Sequence, residues 1–178
     1  MAGSVANMAR TPDRASVDLA WRVHSAMESW TAKADVKASI LLAFEGGMVV
    51  LIVTSRDLVL GHRERWPAVL AVVTLGLLAL AIIAAAMVVM PTMGSARGHR
   101  AVFRDHWIFF GHLRHWTPSD LAHRIGRLTR ADELDNLAGQ LVAMSKINWR
   151  KHRLLQSSVV LTVAALCCIT VTVLAVFH

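Results

Sequence analysis

Tyrosine is absent from this 178-residue chain, and cysteine occurs only as the adjacent pair Cys167 and Cys168. Two neighbouring thiols inside an apolar run cannot cross-link distant segments or build a Cys-based zinc site, so a disulfide framework is excluded. Residues 1–37 hold no apolar core followed by a cleavage site, and we expect no signal peptide. No nucleotide-cradling glycine loop, nucleophile elbow or paired-carboxylate arrangement occurs, so the chain is expected not to be an enzyme. Charge is missing altogether from residues 67–90 and 157–177. A core helix of a soluble bundle keeps one polar face; these two stretches keep none.

What is present points to a membrane. The apolar fraction is 55% and the mean hydropathy +0.48, above the usual soluble range. Three apolar runs carry that excess: "ASILLAFEGGMVVLIVT" from Ala38, "PAVLAVVTLGLLALAIIAAAMVVM" from Pro67, and "SSVVLTVAALCCITVTVLAVF" from Ser157. A helix crosses a bilayer with about 20 apolar residues, a length the second and third runs reach. The first is short and interrupted by Glu45, but the second follows it after a brief polar link. The expected fold is therefore all-α: a membrane protein with three transmembrane helices (38–55, 67–90 and 157–177), whose long helices extend into a small cytosolic helical unit. Residues 1–12 are expected to be disordered, 13–37 a cytosolic helix, 56–66 an external link and 91–156 a cytosolic helical segment.

The basic residues set the expected orientation. Residues 1–37 hold five Lys+Arg, the link 56–66 three, and 92–156 eleven against five acids. With the N-terminus in the cytosol, both larger basic regions lie inside and the C-terminus outside. The net charge of +7 is then topological. It also attracts anionic headgroups by roughly 1 kcal/mol per basic residue near the surface, and no nucleic-acid partner is needed to explain it.

Helical signals fill the polar parts. Pro12 suits a first helical turn. Ala20, Val23, Met27, Trp30 and Ala34 recur in steps of three and four, and no Pro or Gly interrupts until Gly46. Thr117 followed by Pro118 and Asp120 reads as a helix start. Leu134, Leu137, Leu141 and Met144 form a second apolar seam, on a helix expected to continue through "KINWRKHRLLQ" into the third span. Intramolecular packing accounts for both seams; an oligomerisation coil is the alternative. The aromatic and basic stretch within residues 98–116 has two readings, a piece lying in the headgroup layer or a short extended piece packed on the helices.

The candidate functional residues follow from charge in unusual places. Glu45 lies seven residues past Ala38, roughly 10 Å into the span by helical rise. A charged acid at mid-bilayer costs roughly 2.5–3.5 kcal/mol on insertion scales, so it needs protein or water around it. One reading has it protonated and hydrogen-bonded to neighbouring backbone or Thr74; another has it lining an interface or pore between subunits. Gly46 and Gly47 beside it would admit a second helix closely. Asp35 and Lys37 sit at the membrane entry, either as an ordinary solvated boundary or as a polar contact to a basic turn of Lys146, Arg150, Lys151 and Arg153, itself a candidate site for an anionic ligand or lipid phosphate. His106, His112 and His115 stand without a nearby Cys or Glu, and no metal is expected.

"ADVKASILLAFEGG" resembles the AD-x-KA-x-x-LL signature at the membrane entry of the Pycsar effector transmembrane proteins (PycTM). "IFFGHLRHWTPSDLAHRIGRL" and "GQLVAMSKINWRKHRLL" agree in order before the last span, and the resemblance covers about residues 20–177. It places the family motif on Ala34, Asp35, Lys37 and Ala38, and transfers no role to Glu45. It implies a bacterial inner-membrane effector of anti-phage defence that impairs the membrane when a companion cyclase makes cUMP or cCMP; we also expect a homo-oligomer. No cofactor is implied beyond that ligand. Since no β-rich cyclic-nucleotide-binding domain is legible, the basic helical unit is the place for the ligand. The competing reading is a membrane anchor that recruits a cytosolic partner without changing permeability.

Overall fold

The computed structural model describes residues 13–57, 65–91, 100 and 103–177, with side chains through Leu174. The expected disorder of residues 1–12, with Pro12, lies outside the described residues, as does most of the link 56–66. The elements are α1 (Arg14–Thr54), α2 (Trp66–Val89), a 3-10 turn (Phe103–Asp105), α3 (Phe110–Leu113), α4 (Pro118–Ile125) and α5 (Arg130–Phe177). No strand occurs among the described residues. The chain divides into two compact units, Met1–Ser29 with Thr92–Lys146, and Trp30–Pro91 with Ile147–His178.

Local chemistry sets the helix ends. Asp13 precedes α1, and its carboxylate accepts from the Ser16 backbone N–H at 2.8 Å and the Ser16 hydroxyl at 2.7 Å. It satisfies donors that a first helical turn leaves unpaired. Thr117 caps α4, accepting from the Asp120 N–H at 3.2 Å, as its spacing predicts. At α5, Thr129 accepts from the Asp132 N–H at 3.2 Å while Asp132 accepts from the Thr129 N–H at 3.1 Å, a reciprocal box. α2 ends because Met90 precedes Pro91 and takes an extended conformation, which the proline ring enforces.

The first unit has a small core of Val17, Ala20 and Leu137, covered by Ile108, Leu134 and Leu141. Trp21 donates its indole N–H to Glu133 at 2.8 Å. From residue 103 to 116 the chain is neither extended nor laid out as one helix. Backbone bonds close two short turns, His106 N–H to the Phe103 carbonyl at 3.1 Å and Arg114 N–H to the Phe110 carbonyl at 3.2 Å. The buried Asn136 of α5 holds the Asp105 carbonyl, and Ile108 reaches the core. Its own short turns satisfy much of this stretch's backbone, and Asn136 and the first unit's core hold it on the helices.

The second unit holds the apolar parts of α1, α2 and α5, three helices long and apolar enough to cross a membrane. Ala34 and Ala38 of α1 meet Val88 of α2, while Met48 meets Leu78. Rising α1 numbers meet falling α2 numbers, so the two run antiparallel. α5 pairs with α1 at nearly constant separation, Thr31 with Asn148 (117 apart), Asp35 with Lys151 (116) and Glu45 with Thr162 (117), so these two run parallel.

Polarity is distributed inside out. Val50, Leu51, Val72, Val160 and Leu174 point outward, each more than half exposed. Glu45, Thr74, Ser158, Thr162 and Thr172 are buried between the helices. That pattern suits hydrocarbon as the surrounding solvent, because lipid cannot hydrogen-bond an outward polar group. The chain is a membrane protein.

Candidate functional site

Both long helices carry an unbroken seven-residue seam. On α1, positions 17, 20, 24, 27, 31, 34, 38, 41, 45, 48 and 52 are buried or half-buried; on α5 the same holds for 134, 137, 141, 144, 148, 151, 155, 158, 162, 165, 169 and 172. Steps of three and four keep one stripe facing a partner helix. The stripe read from Val23 and Trp30 is corrected here. His24 and Thr31 take the inward places, and Trp30 is 52% exposed. Beside Trp30 the small Thr31 hydroxyl fits the seam and the indole does not, while Val23 stays half-buried at the edge next to His24.

Glu45 occupies a seam position and is fully buried. Its Oε1 accepts from the Ser158 hydroxyl at 2.8 Å and the Thr162 hydroxyl at 2.6 Å. Thr74, the partner expected from sequence, instead donates to the Leu70 carbonyl on its own helix at 2.8 Å. Thr162 also lies 2.9 Å from the Ser158 carbonyl, so the hydroxyls form a compact group on one face of α5. Among the described residues, Glu45 Oε2 has no hydrogen-bond partner. The arrangement links α1 to α5 inside the apolar layer, with one carboxylate oxygen engaged and one left over.

A second polar layer lies at the start of the apolar run. Lys151 Nζ stands 2.5 Å from Asp35 Oδ1, and Thr31 donates to Asn148 Oδ1 at 2.5 Å. Lys151 is only 7% exposed, which a lysine tolerates when a carboxylate meets it. Of the basic residues named as ligand contacts, Lys151 is therefore committed to an internal pair, while Lys146, Arg150 and Arg153 are exposed. Within the AD-x-KA motif, Ala34 and Ala38 are buried against Val88, Asp35 faces Lys151 and Lys37 points outward. The alanines leave room for α2, and the acid fixes α5.

Gly46 and Gly47 do not serve close packing within the chain. A Cβ built on either meets nothing within 4 Å. His106 and His112 stack at 4.9 Å between ring centroids, His115 packs on Phe103 at 5.8 Å, and Asn136 Nδ2 lies 3.3 Å from His106 Nδ1. Among the described residues, no three His, Cys, Asp or Glu side chains converge on a metal-sized site. Sequence reasoning missed Asn148, Ser158 and Thr162. The continuing heptad from Met144 would have found them, had polar residues been admitted to the seam.

The family model for the Pycsar effector protein domain, PycTM, matches residues 19–178, most of the chain and all of both polar layers. No curated protein and no solved structure matches it.

Proposed function

The chain belongs to the Pycsar effector protein family of anti-phage defence, and from that premise we propose that it is activated by a cyclic pyrimidine nucleotide, cUMP or cCMP, to impair the bacterial inner membrane. The nucleotide comes from a companion cyclase. In this reading the protein performs no covalent chemistry and needs no cofactor, and it acts as a homo-oligomer. It crosses the inner membrane three times, with the N-terminus and the basic segment in the cytosol and the C-terminus outside.

The observation that supports this reading is the buried Glu45–Ser158–Thr162 group in the spans. A carboxylate and two hydroxyls inside an apolar layer are costly for a mere anchor, which apolar side chains would serve as well. They suit a protein whose spans have a second arrangement in which polar groups line water. A ligand populates that arrangement only by binding it more tightly than the resting one.

The test uses the full-length protein in liposomes loaded with a self-quenched dye. Leak on addition of cUMP or cCMP, and none with the matching linear monophosphate, supports the reading. Intact vesicles under both cyclic nucleotides refute it, and a stoichiometric cytosolic partner recovered without leak would establish the recruiting anchor instead.

A further inference from the structure

The first unit contains a cavity of about 410 Å³, a size within the ordinary range of small-molecule sites. Its wall carries Arg104, Arg124, Arg127, His115, His123 and Trp116, with Phe103 alongside and Asp120 as the acid. Three guanidinium groups facing one carboxylate give a net positive site. Arg124 is partly occupied, stacked over Trp107 at 5.3 Å and 4.0 Å from Asp132. Asp120 is engaged in capping, accepting from the Thr117 hydroxyl at 2.7 Å. Among the described residues, neither Arg104 nor Arg127 has a carboxylate within 4 Å. Both side chains are exposed, Arg104 on the 3-10 turn and Arg127 just past α4.

The aromatic side of the cavity is rigid. Trp116 donates its indole N–H to the Phe103 carbonyl at 3.0 Å and the His106 carbonyl at 3.3 Å, and its ring meets Phe103 edge-on at 5.5 Å. These three contacts hold two aromatic rings, set nearly at right angles, next to two arginines that lack acid partners. Guanidinium forks match phosphoryl oxygens, and flat rings match a nucleobase.

We propose that this cavity binds a singly charged phosphodiester attached to a planar ring, with Arg104 and Arg127 on the phosphate and the Phe103–Trp116 wall against the base. The inference rests on the nucleotide-activated reading above and gives it a location, away from the Lys146–Arg153 turn. A phospholipid headgroup shares the phosphodiester but lacks the ring, so the test separates the two sources.

The experiment is equilibrium dialysis of the full-length protein in detergent micelles against radiolabelled cUMP and cCMP. Arg104→Ala and Arg127→Ala are each expected to weaken binding at least tenfold, with Arg104→Lys and Arg127→Lys losing less. The double variant Lys146→Ala/Arg150→Ala is expected to bind as the unaltered protein does. Circular dichroism of each variant establishes that helix content is retained. Phosphatidylglycerol added to the micelles is expected not to displace the nucleotide; displacement by it at stoichiometric amounts would assign the cavity to lipid and overturn the proposal. Unweakened binding in both alanine variants overturns the location while leaving the nucleotide-activated reading intact. Failure of the unaltered protein to bind either nucleotide removes both.

Discussion

Lys151 and Asp35, 116 residues apart in the chain, meet at 2.5 Å where α1 and α5 enter the apolar layer. The lysine side chain is 9% exposed and the aspartate 36%, so the pair lies between a buried and a surface ion pair. Removing one member is expected to cost about 1–3 kcal/mol, because the other charge is left partly desolvated. Asp35→Asn should lower the unfolding midpoint in detergent more than the double variant Asp35→Asn/Lys151→Met, and a double-mutant cycle measures the coupling. The same single change should weaken nucleotide-induced leak.

Glu45 gives a different expectation. Glu45→Gln keeps a side-chain oxygen for the Ser158 and Thr162 hydroxyls, and the fold is expected to survive with little loss. Glu45→Ala removes the acceptor, leaving Ser158 without it in a buried place, at about 1–3 kcal/mol. If the carboxylate lines the conducting arrangement, Glu45→Gln should also reduce the preference for cations over anions in reversal-potential measurements.

The glycines beside it should tolerate a methyl group. Since a Cβ at position 46 or 47 meets nothing within 4 Å, Gly46→Ala and Gly47→Ala should raise thermal stability by about 0.5–1 kcal/mol each through helix propensity. Loss of chemical cross-linking between subunits in a variant so stabilised would show that these faces meet a second copy.

Strong acid should loosen the helix starts. The hydrogen bond from the Thr129 backbone, then that from its hydroxyl, holds the Asp132 carboxyl below its ordinary value of 3.8. The Ser16 hydroxyl, then the Ser16 backbone, does the same for Asp13. A carboxyl whose folded value is depressed contributes stability that is complete above the unfolded value and disappears as pH falls through the folded one. Helicity followed by circular dichroism should therefore decline below about pH 4, and Asp132→Asn should flatten that decline.

Much of this architecture can be read from the residues, and the limits of that reading have physical causes. The uncharged runs from Pro67 and Ser157 identify their spans because nothing else in them competes. Thr117-Pro118 marks α4 because a cap and a fixed φ angle are local properties. Thr129 and Asp132 carry the same kind of local signal at the start of α5. The basic turn offered to Asp35 contained Lys151, the residue that meets it, whereas His24, Thr31, Asn148, Ser158 and Thr162 went unnoticed because single-helix periodicity sorts residues by polarity. Their burial depends on what the neighbouring helix offers, Asp35 for Lys151 and Glu45 for the two hydroxyls. The cavity beside Arg127 was invisible for a related reason: its walls come from three short elements whose docking depends on Asn136 and Ile108.

The parallel pairing of α1 with α5 has a mechanical corollary. Apolar rungs spaced seven apart are interchangeable, so grease alone would let one rod slide along the other by a whole repeat. Such a slip would set Glu45 against Ala165 and Ile169 in one direction and Asp35 against Met144 in the other, stranding an acid at each stop. The hydrophilic rungs thus act as detents, and any sliding of α1 along α5 must lift them out of their notches together.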